Sequence, residues 1–302
     1  MKHLNLYNGN LIIKYNDMPI VYYVILDAMC IIVWCFNPNT TWKFILVSLR
    51  DENFDRPTKI ATYYPEEKII GSRDQDFFGM QIGISLTGKI AAVTNLNGYL
   101  ATKTDQKSRG LLVVDYLTGV DDHIMLNEDI LYKPFNLFCA MTADDVLHAY
   151  YRQWSEHIVI IKNKEIYGID NSGLDANSYR LNRAKELFQY VILTHTDKNA
   201  LIDNLFDLLN DKEPGMENDS IFKMPKKTFI TNQIFGTRTQ TVILIDNDNK
   251  VTFVERNFNM DSLLDHNPKD RVLPSEIKHT LSICYYDSNK WIENLYEYDI
   301  IE

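Results

Sequence analysis

Glycine and proline are scarce in this chain, at 12 and 9 of 302 residues. No Gly-rich turn opens a helix, so a nucleotide-triphosphate loop has no support, and collagen-like or Pro/Gly low-complexity structure is excluded. Cysteine is scarce too. Cys30, Cys35, Cys139 and Cys284 are irregularly spaced, which makes no disulfide framework and points to a reducing compartment. The histidines, His3, His123, His148, His157, His195, His266 and His279, include no i, i+4 pair and have no CxxC companion, so no metal site is expected. Positive charge is short: 31 Lys+Arg against 41 Asp+Glu leave a net charge of −10, and no basic stripe interleaved with aromatics overrides it. Nucleic acid is therefore not an expected partner. Sequons at Asn39 and Asn218 carry no weight without a secretory signal.

What is present is an ordinary globular composition, 45% apolar and 24% charged, in a chain long enough to bury a large core without a metal or disulfide staple. Residues 19–36, PIVYYVILDAMCIIVWCF, are nearly long enough to span a bilayer. Asp27 in their middle is expensive in lipid, no basic region beyond Lys2 precedes them, and the half after Met29 reads better as a strand. No transmembrane anchor is expected.

Cys30 to Phe36 is continuously apolar, NPNTT makes a turn, and Trp42 to Leu49 resumes the run, which predicts a hairpin of two buried strands. A second hairpin joins Met80–Leu86 to Lys89–Thr94 through Thr87-Gly88. A helix is expected over Ser108–Leu117 and another from Thr142, whose TADD has N-cap spacing; the two would cover one face of a sheet. Strands at His157–Lys162 and Glu165–Ile169 precede helices near Asn182–Leu193 and Ala200–Leu209, the latter with an apolar stripe of Leu201, Leu205, Leu208 and Leu209. Asn210–Lys227 is polar and broken by Pro and Gly, a surface loop. Strands follow at Thr228–Thr231, Thr239–Ile245, Lys250–Arg256 and Lys278–Tyr286. Strands and helices come in blocks, so the class is α+β with mainly antiparallel sheets.

Three places could carry chemistry. Cys30 and Cys35 lie an odd number apart in one strand, so alternation sends them to opposite faces, where they neither bond nor share a metal; a buried strand cysteine is ordinarily a small hydrophobe. LRDENFDRP sets Arg50, Asp51, Glu52, Asp55 and Arg56 directly after a buried run. They form either a salt-bridged turn or a site in which Arg50 orients an anion and Asp51 supports a nucleophile. In FGTRTQT, Gly236 allows a special torsion and Arg238 stands at the mouth of an apolar strand, where it either binds a ligand carboxylate or neutralises Glu255. The acidic DNDNK from Asp246 is no calcium loop, because Val251 and Asn257 occupy the positions that need Gly and Glu; it is a hairpin turn.

Taken in order, Met29-Cys30, RDENFDRPT at 50–58, GSRD at 71–74, GMQIGIS at 79–85, AAVTN at 91–95, SRGLLV at 108–113, YKPFNL at 132–137, YGIDNSGLD at 167–175 and FGTRTQTVILID at 235–246 resemble the NRDE family over about residues 29–258. The chain departs from its pattern in three places. Leu49 stands where the family has its first asparagine, Gln81 replaces an aromatic, and Asp170 replaces a serine before Asn171. The resemblance implies a single domain over 29–302, preceded by an extension of residues 1–28. The implied fold is a four-layer αββα sandwich similar to the N-terminal-nucleophile hydrolases.

By that similarity Cys30 would be a nucleophile with Arg50 and Asp51 as partners, and Asn95, Asn171 and Arg238 oxyanion or substrate contacts. A free α-amino group, with a pKa near 8, is the base in that chemistry. The nitrogen of Cys30 is a peptide nitrogen while residues 1–28 are attached. Either a form beginning at Cys30 exists, or the chain is not such an amidohydrolase. The family itself implies a carrier first: a cytoplasmic haem chaperone passing haem from storage organelles or mitochondria to acceptor proteins, with links to lysosome-related organelles, Golgi organisation and secretion. Arg50 or Arg238 would then meet the propionates. No resident metal or nucleotide cofactor is implied.

Overall fold

The computed structural model describes residues 4–7, 10–13, 30–97, 106–120, 132–142, 148–154, 158–211, 235–258, 273–286 and 289–301. In chain order the elements are β1 (Leu4–Tyr7), β2 (Asn10–Ile13), β3 (Ile31–Phe36), β4 (Trp42–Asn53), β5 (Thr58–Tyr64), β6 (Ile69–Asp74), β7 (Ile82–Ser85), β8 (Lys89–Asn95), α1 (Gly110–Thr118), β9 (Phe135–Met141) and β10 (His148–Gln153). They continue with β11 (Ile158–Ile160), β12 (Ile166–Asp170), β13 (Gly173–Leu174), α2 (Tyr179–Thr194), α3 (Lys198–Leu209), β14 (Phe235–Asp246), β15 (Lys250–Phe258), β16 (Lys278–Tyr286) and β17 (Asn289–Asp299).

Within the predicted extension, β1 and β2 pair as a two-stranded hairpin. The other strands form a seven-stranded sheet, ordered β11-β10-β9-β8-β7-β6-β5, and an eight-stranded sheet, ordered β13-β12-β3-β4-β14-β15-β17-β16. Every strand pairing in both is antiparallel.

The central strands explain the layering. All six residues of β3 are buried, so neither face meets water and both must find apolar partners. Alternation sends Ile32, Trp34 and Phe36 into a core shared with Ile70, Ile84, Ile90 and Phe138 of the other sheet. Ile31, Val33 and Cys35 join a second core with Leu181, Phe188, Leu201, Leu205 and Phe206 of α2 and α3. On the far side of the seven-stranded sheet, Ala91, Val93, Leu137 and Cys139 pack on Leu112, Val113 and Leu117 of α1. Three cores separate four layers, and the α+β αββα sandwich is what the sequence resemblance implied.

Local chemistry sets the ends. Ser178 and Asp197 cap α2 and α3 by accepting from the Leu181 and Ala200 amides, and Gly119 closes α1 in the left-handed conformation at φ 72°. The DNDN turn is a hairpin, with Asp246 Oδ1 accepting from the Asp248 and Lys250 amides. No helix among the described residues is long and apolar enough to cross a membrane.

Two expectations are corrected. No helix runs on from Thr142, whose hydroxyl instead donates to the Gly88 carbonyl at 3.0 Å, and the chain is already in β10 at His148; residues 143–147 lie outside the described residues. The TADD spacing is a local signal, overridden by the pairing of β9 with β10 from Met141↔His148 to Asn136↔Gln153. Among the described residues α1 alone therefore covers its sheet face. The strand after the first turn does not stop at Leu49 but runs to Asn53, because β14 pairs with it along its length, from Ile245↔Phe44 to Phe235↔Asn53. The strand expected at Thr228–Thr231 and nearly all of the 210–227 loop lie outside the described residues.

Trp34 is the test of the inter-sheet core. It is fully buried, with its ring 4.3 Å from Phe138 and 5.8 Å from Tyr167. Trp34→Ala is expected to lower the unfolding free energy by about 3–5 kcal/mol in a denaturant titration. Tyr190→Ala, at a side chain 64% exposed on α2, should stay within about 0.5 kcal/mol of wild type.

Candidate functional site

At one end of the inter-sheet core the apolar filling gives way to a cleft of about 280 Å³. Cys30 lies at its floor, just before β3, and Arg50 and Glu52 reach it from β4. From the facing sheet and its connections come Arg56, Thr58, Ser72, Asp74, Phe77, Gly79, Met80, Gln81, Thr94 and Asn95. The start of α1 adds Ser108, Arg109 and Gly110, and Lys133 stands on the segment leading into β9.

Alternation along β4 decides what enters the cleft. Val47 and Leu49 face α2 and α3, so Ser48, Arg50 and Glu52 take the inter-sheet side and Asp51 the helical side. Asp51 also borders the cleft, but both oxygens of its buried carboxylate are taken on the helical side: Oδ2 accepts from Arg180 Nη2 of α2 at 2.6 Å and Oδ1 from the Thr237 hydroxyl at 2.7 Å. Burial pushes the Asp51 carboxyl above its ordinary value, with Arg180 and Thr237 holding against that push. Leu49, in the place of the family asparagine, is fully buried against the helices and does not line the cleft.

Arg50 Nη1 donates to the Thr58 hydroxyl at 3.1 Å and Nη2 to Glu52 Oε2 at 3.3 Å, which also accepts from Arg56 Nη1 at 3.3 Å. Arg56 Nε is held by Asp74. Gln81 ties the two sheets together by donating to the Ser48 hydroxyl at 3.0 Å. Arg109 Nη1 donates to the Pro134 carbonyl at 2.8 Å, joining the start of α1 to the segment that carries Lys133. The helix can begin there because Gly79 and Gly110 touch: a Cβ on Gly79 would lie 2.7 Å from Gly110 Cα.

Among the described residues four cations thus line the cleft, Arg50, Arg56, Arg109 and Lys133, against the carboxylates of Glu52 and Asp74. Lys133 is pulled below its ordinary value by desolvation and by the like charges of Arg109 and Arg56. The Cys30 thiol is pushed up to about 12 by burial, and Asp51 adds to the shift. It is a protonated thiol at neutral pH.

Of the residues singled out in the sequence, Cys30, Arg50, Asp51, Glu52, Arg56 and Asn95 line this cleft, and Asn171 and Arg238 do not. Arg238 is buried at the β14 bulge, its Nη1 donating to the carbonyls of Asn53 and Phe54, and burial pulls it down to about 10. Asn171 is buried, its carbonyl accepting from the Asn97 amide at 2.7 Å. Asp74, Arg109 and Lys133 were missed, although each lies in a block that carries the family resemblance.

Behind the cleft Glu255 is fully buried, with Oε1 accepting from the Ala61 amide and the Asn257 side-chain amide, each at 2.9 Å. Burial pushes its carboxyl up to about 7. The folded state therefore holds a proton the unfolded chain releases, so this contribution to stability is full below about pH 4.5, where unfolded glutamate titrates, and is lost as pH rises through about 7. Glu255→Gln is expected to be the more stable protein at pH 8, by up to the order of 3 kcal/mol, and to show a flatter stability profile between pH 5 and 8 in denaturant titrations. Arg180→Ala should cost about 3–5 kcal/mol at pH 7, because it leaves the Asp51 carboxylate buried without its cation.

Residues 29–260 match the model of the family described as Transport and Golgi organisation 2. The human Transport and Golgi organization protein 2 homolog is 32% identical over 79% of this chain and 96% of its own length. The protein of that name from Drosophila melanogaster is 27% identical over 75% of this chain and 91% of its own. Among solved structures, an N-acylethanolamine-hydrolyzing acid amidase ortholog from Caenorhabditis elegans aligns with a TM-score of 0.43 at 11% identity, covering 71% of this chain and 92% of that one. The blocks that line the cleft fall within the matched span, and the chain belongs to the Transport and Golgi organisation 2 family.

Proposed function

We propose that the chain is a ligand carrier whose inter-sheet cleft holds an anionic cargo, and that the cargo is haem, held by its propionates. The observation that carries this reading is the excess of cations over facing carboxylates among the described residues of one cleft, in a protein whose net charge is −10. Such a local field concentrates anions against the global repulsion. Lys133 is exposed and lies beside the like charges of Arg109 and Arg56, so an added carboxylate would relieve their repulsion. The cleft, at about 280 Å³, is just under the roughly 300–1,000 Å³ typical of small-molecule sites. A porphyrin would therefore enter edge-on, propionates inward, with much of its ring at the open mouth. An edge-held ring leaves easily, which is what transfer to an acceptor requires.

Thiol amidohydrolysis is the second reading, favoured by the placement of Cys30, Arg50 and Asn95 in the same cleft. It needs a chain beginning at Cys30, because the peptide nitrogen cannot serve as a base and a thiol pushed up to about 12 needs one. Intact-mass analysis of the native protein separates the two. Chains that retain residues 1–28 support the carrier, and chains beginning at Cys30 that cleave an amide support the enzyme.

Titration of haem into the purified protein should give a saturable change in the Soret band, and mixing with an apo-acceptor should pass the haem on. Arg50→Ala and the Arg109→Ala/Lys133→Ala pair should each weaken binding, by on the order of 1.5–3 kcal/mol for each charged hydrogen bond removed. Arg238→Ala should leave affinity unchanged, since Arg238 does not line the cleft. A wild-type protein that neither binds haem saturably nor passes it on would end the haem reading.

A further inference from the structure

Phe77 and Phe78 are 53% and 65% exposed, and they follow Asp74 on a tight turn at the rim of the cleft, which Phe77 lines. Two adjacent phenylalanines in water are unfavourable, and Phe78 adds a backbone penalty, sitting at φ 58° in the left-handed region that bulky residues avoid. Such strain persists where the surroundings over-determine it, and Asp74 does so here. Asp74 Oδ1 accepts from the amides of Asp76 and Phe77 at 3.0 and 2.8 Å, its carbonyl accepts from the Phe78 amide at 3.0 Å, and its own amide donates to Gly79. Its remaining oxygen, Oδ2, holds Arg56, whose guanidinium carbon lies 5.5 Å from the centre of the Phe77 ring. One carboxylate thus fixes both an exposed aromatic ring and a cation at the same edge of the cleft.

From this we infer that Phe77 is the apolar half of the binding site, a platform for a flat aromatic body whose anionic groups reach the cations below, so that the cargo is an aromatic or macrocyclic anion rather than a small polar one. The turn is built in advance, so the ring is presented without an ordering cost on binding, and the surface of Phe77 now facing water becomes covered. Stacking suits a planar partner, and the neighbouring guanidinium favours an electron-rich face. Phe78, displaced by its left-handed backbone and absent from the lining, fixes the turn and is not assigned a ligand contact. The inference rests on the reading of the cleft as an anion site and does not depend on haem being the anion.

The test uses the full chain and three probes: haem, the aromatic sulfonate 8-anilinonaphthalene-1-sulfonate, and citrate as a polar anion that competes with them. The variants are Phe77→Ala, Phe77→Trp and Lys133→Ala, all at exposed side chains. Phe77→Ala should weaken both aromatic probes tenfold or more while leaving the citrate inhibition constant unchanged. Phe77→Trp should keep their affinity, and Lys133→Ala should weaken all three. If the sulfonate binds in a Phe77-dependent way and haem does not bind, the inference stands and the haem cargo falls. If haem binds equally to wild type and Phe77→Ala, the haem cargo stands and the platform is refuted. If no aromatic probe binds to wild type, the platform is refuted along with the haem cargo.

Discussion

The structure turns on one strand that outlasts its core. β4 carries apolar residues from Trp42 to Leu49 and then continues as Arg50, Asp51, Glu52 and Asn53 with the same alternation. Strand geometry does not change when the residues become charged, so the two faces that earlier received Leu46 and Val47 now receive Arg50 and Asp51. Each charge needs its own answer. Asp51 finds Arg180 on α2 and Thr237 on β14, which ties the eight-stranded sheet to the helical layer behind it. Arg50 and Glu52 find each other, and with Arg56 and Asp74 they fill the space that apolar side chains fill further along the sandwich. The cleft is where the inter-sheet core ends and this polar continuation begins.

Most of the layering could be read from the sequence because it depends on runs of apolar residues long enough to show their period. The buried hairpin of β3 and β4, the α3 leucine stripe and the opposite faces of the Cys30 and Cys35 positions all rest on patterns within ten or so residues. Thr142 shows where that fails: an N-cap signal is worth about 1 kcal/mol, and a full antiparallel ladder on both sides of it outweighs that. The extension of β4 past Leu49 was hidden for the same reason, since its partner β14 lies nearly two hundred residues away in sequence.

The site was half legible. Charges after a buried run drew notice to Arg50, which lines the cleft, but ending the strand at Leu49 hid the fact that neighbours on a strand point apart, which sends the Arg50 and Asp51 side chains to different partners. The partners from other parts of the chain could not be found by spacing, because Asp74, Arg109 and Lys133 meet only when β6, the start of α1 and the segment before β9 are assembled. A signal was nonetheless present. Six of the blocks that carry the family resemblance after Met29-Cys30, from RDENFDRPT to YKPFNL, each place side chains in the cleft, while YGIDNSGLD and FGTRTQTVILID place none. Blocks that resemble a family through residues with no common secondary structure are best explained by one surface they build together.

The same arrangement sets how tightly an anion can be held. Glu52 bridges Arg50 and Arg56, and Asp74 takes a second edge of Arg56, so these two cations are already partly neutralised by the protein. An arriving carboxylate gains less from Arg50 and Arg56 than from bare guanidiniums, because it must share or displace an existing partner. Lys133 is exposed, where water screens it, and the like charges of Arg109 and Arg56 beside it are a repulsion that an anion would relieve. A site with internal competitors and solvated outer cations binds through many modest contacts and releases without a large barrier. Under the proposed carrier function, that balance would favour handing an anion on over storing it, and it follows from the charges that β4 carries past the end of its core.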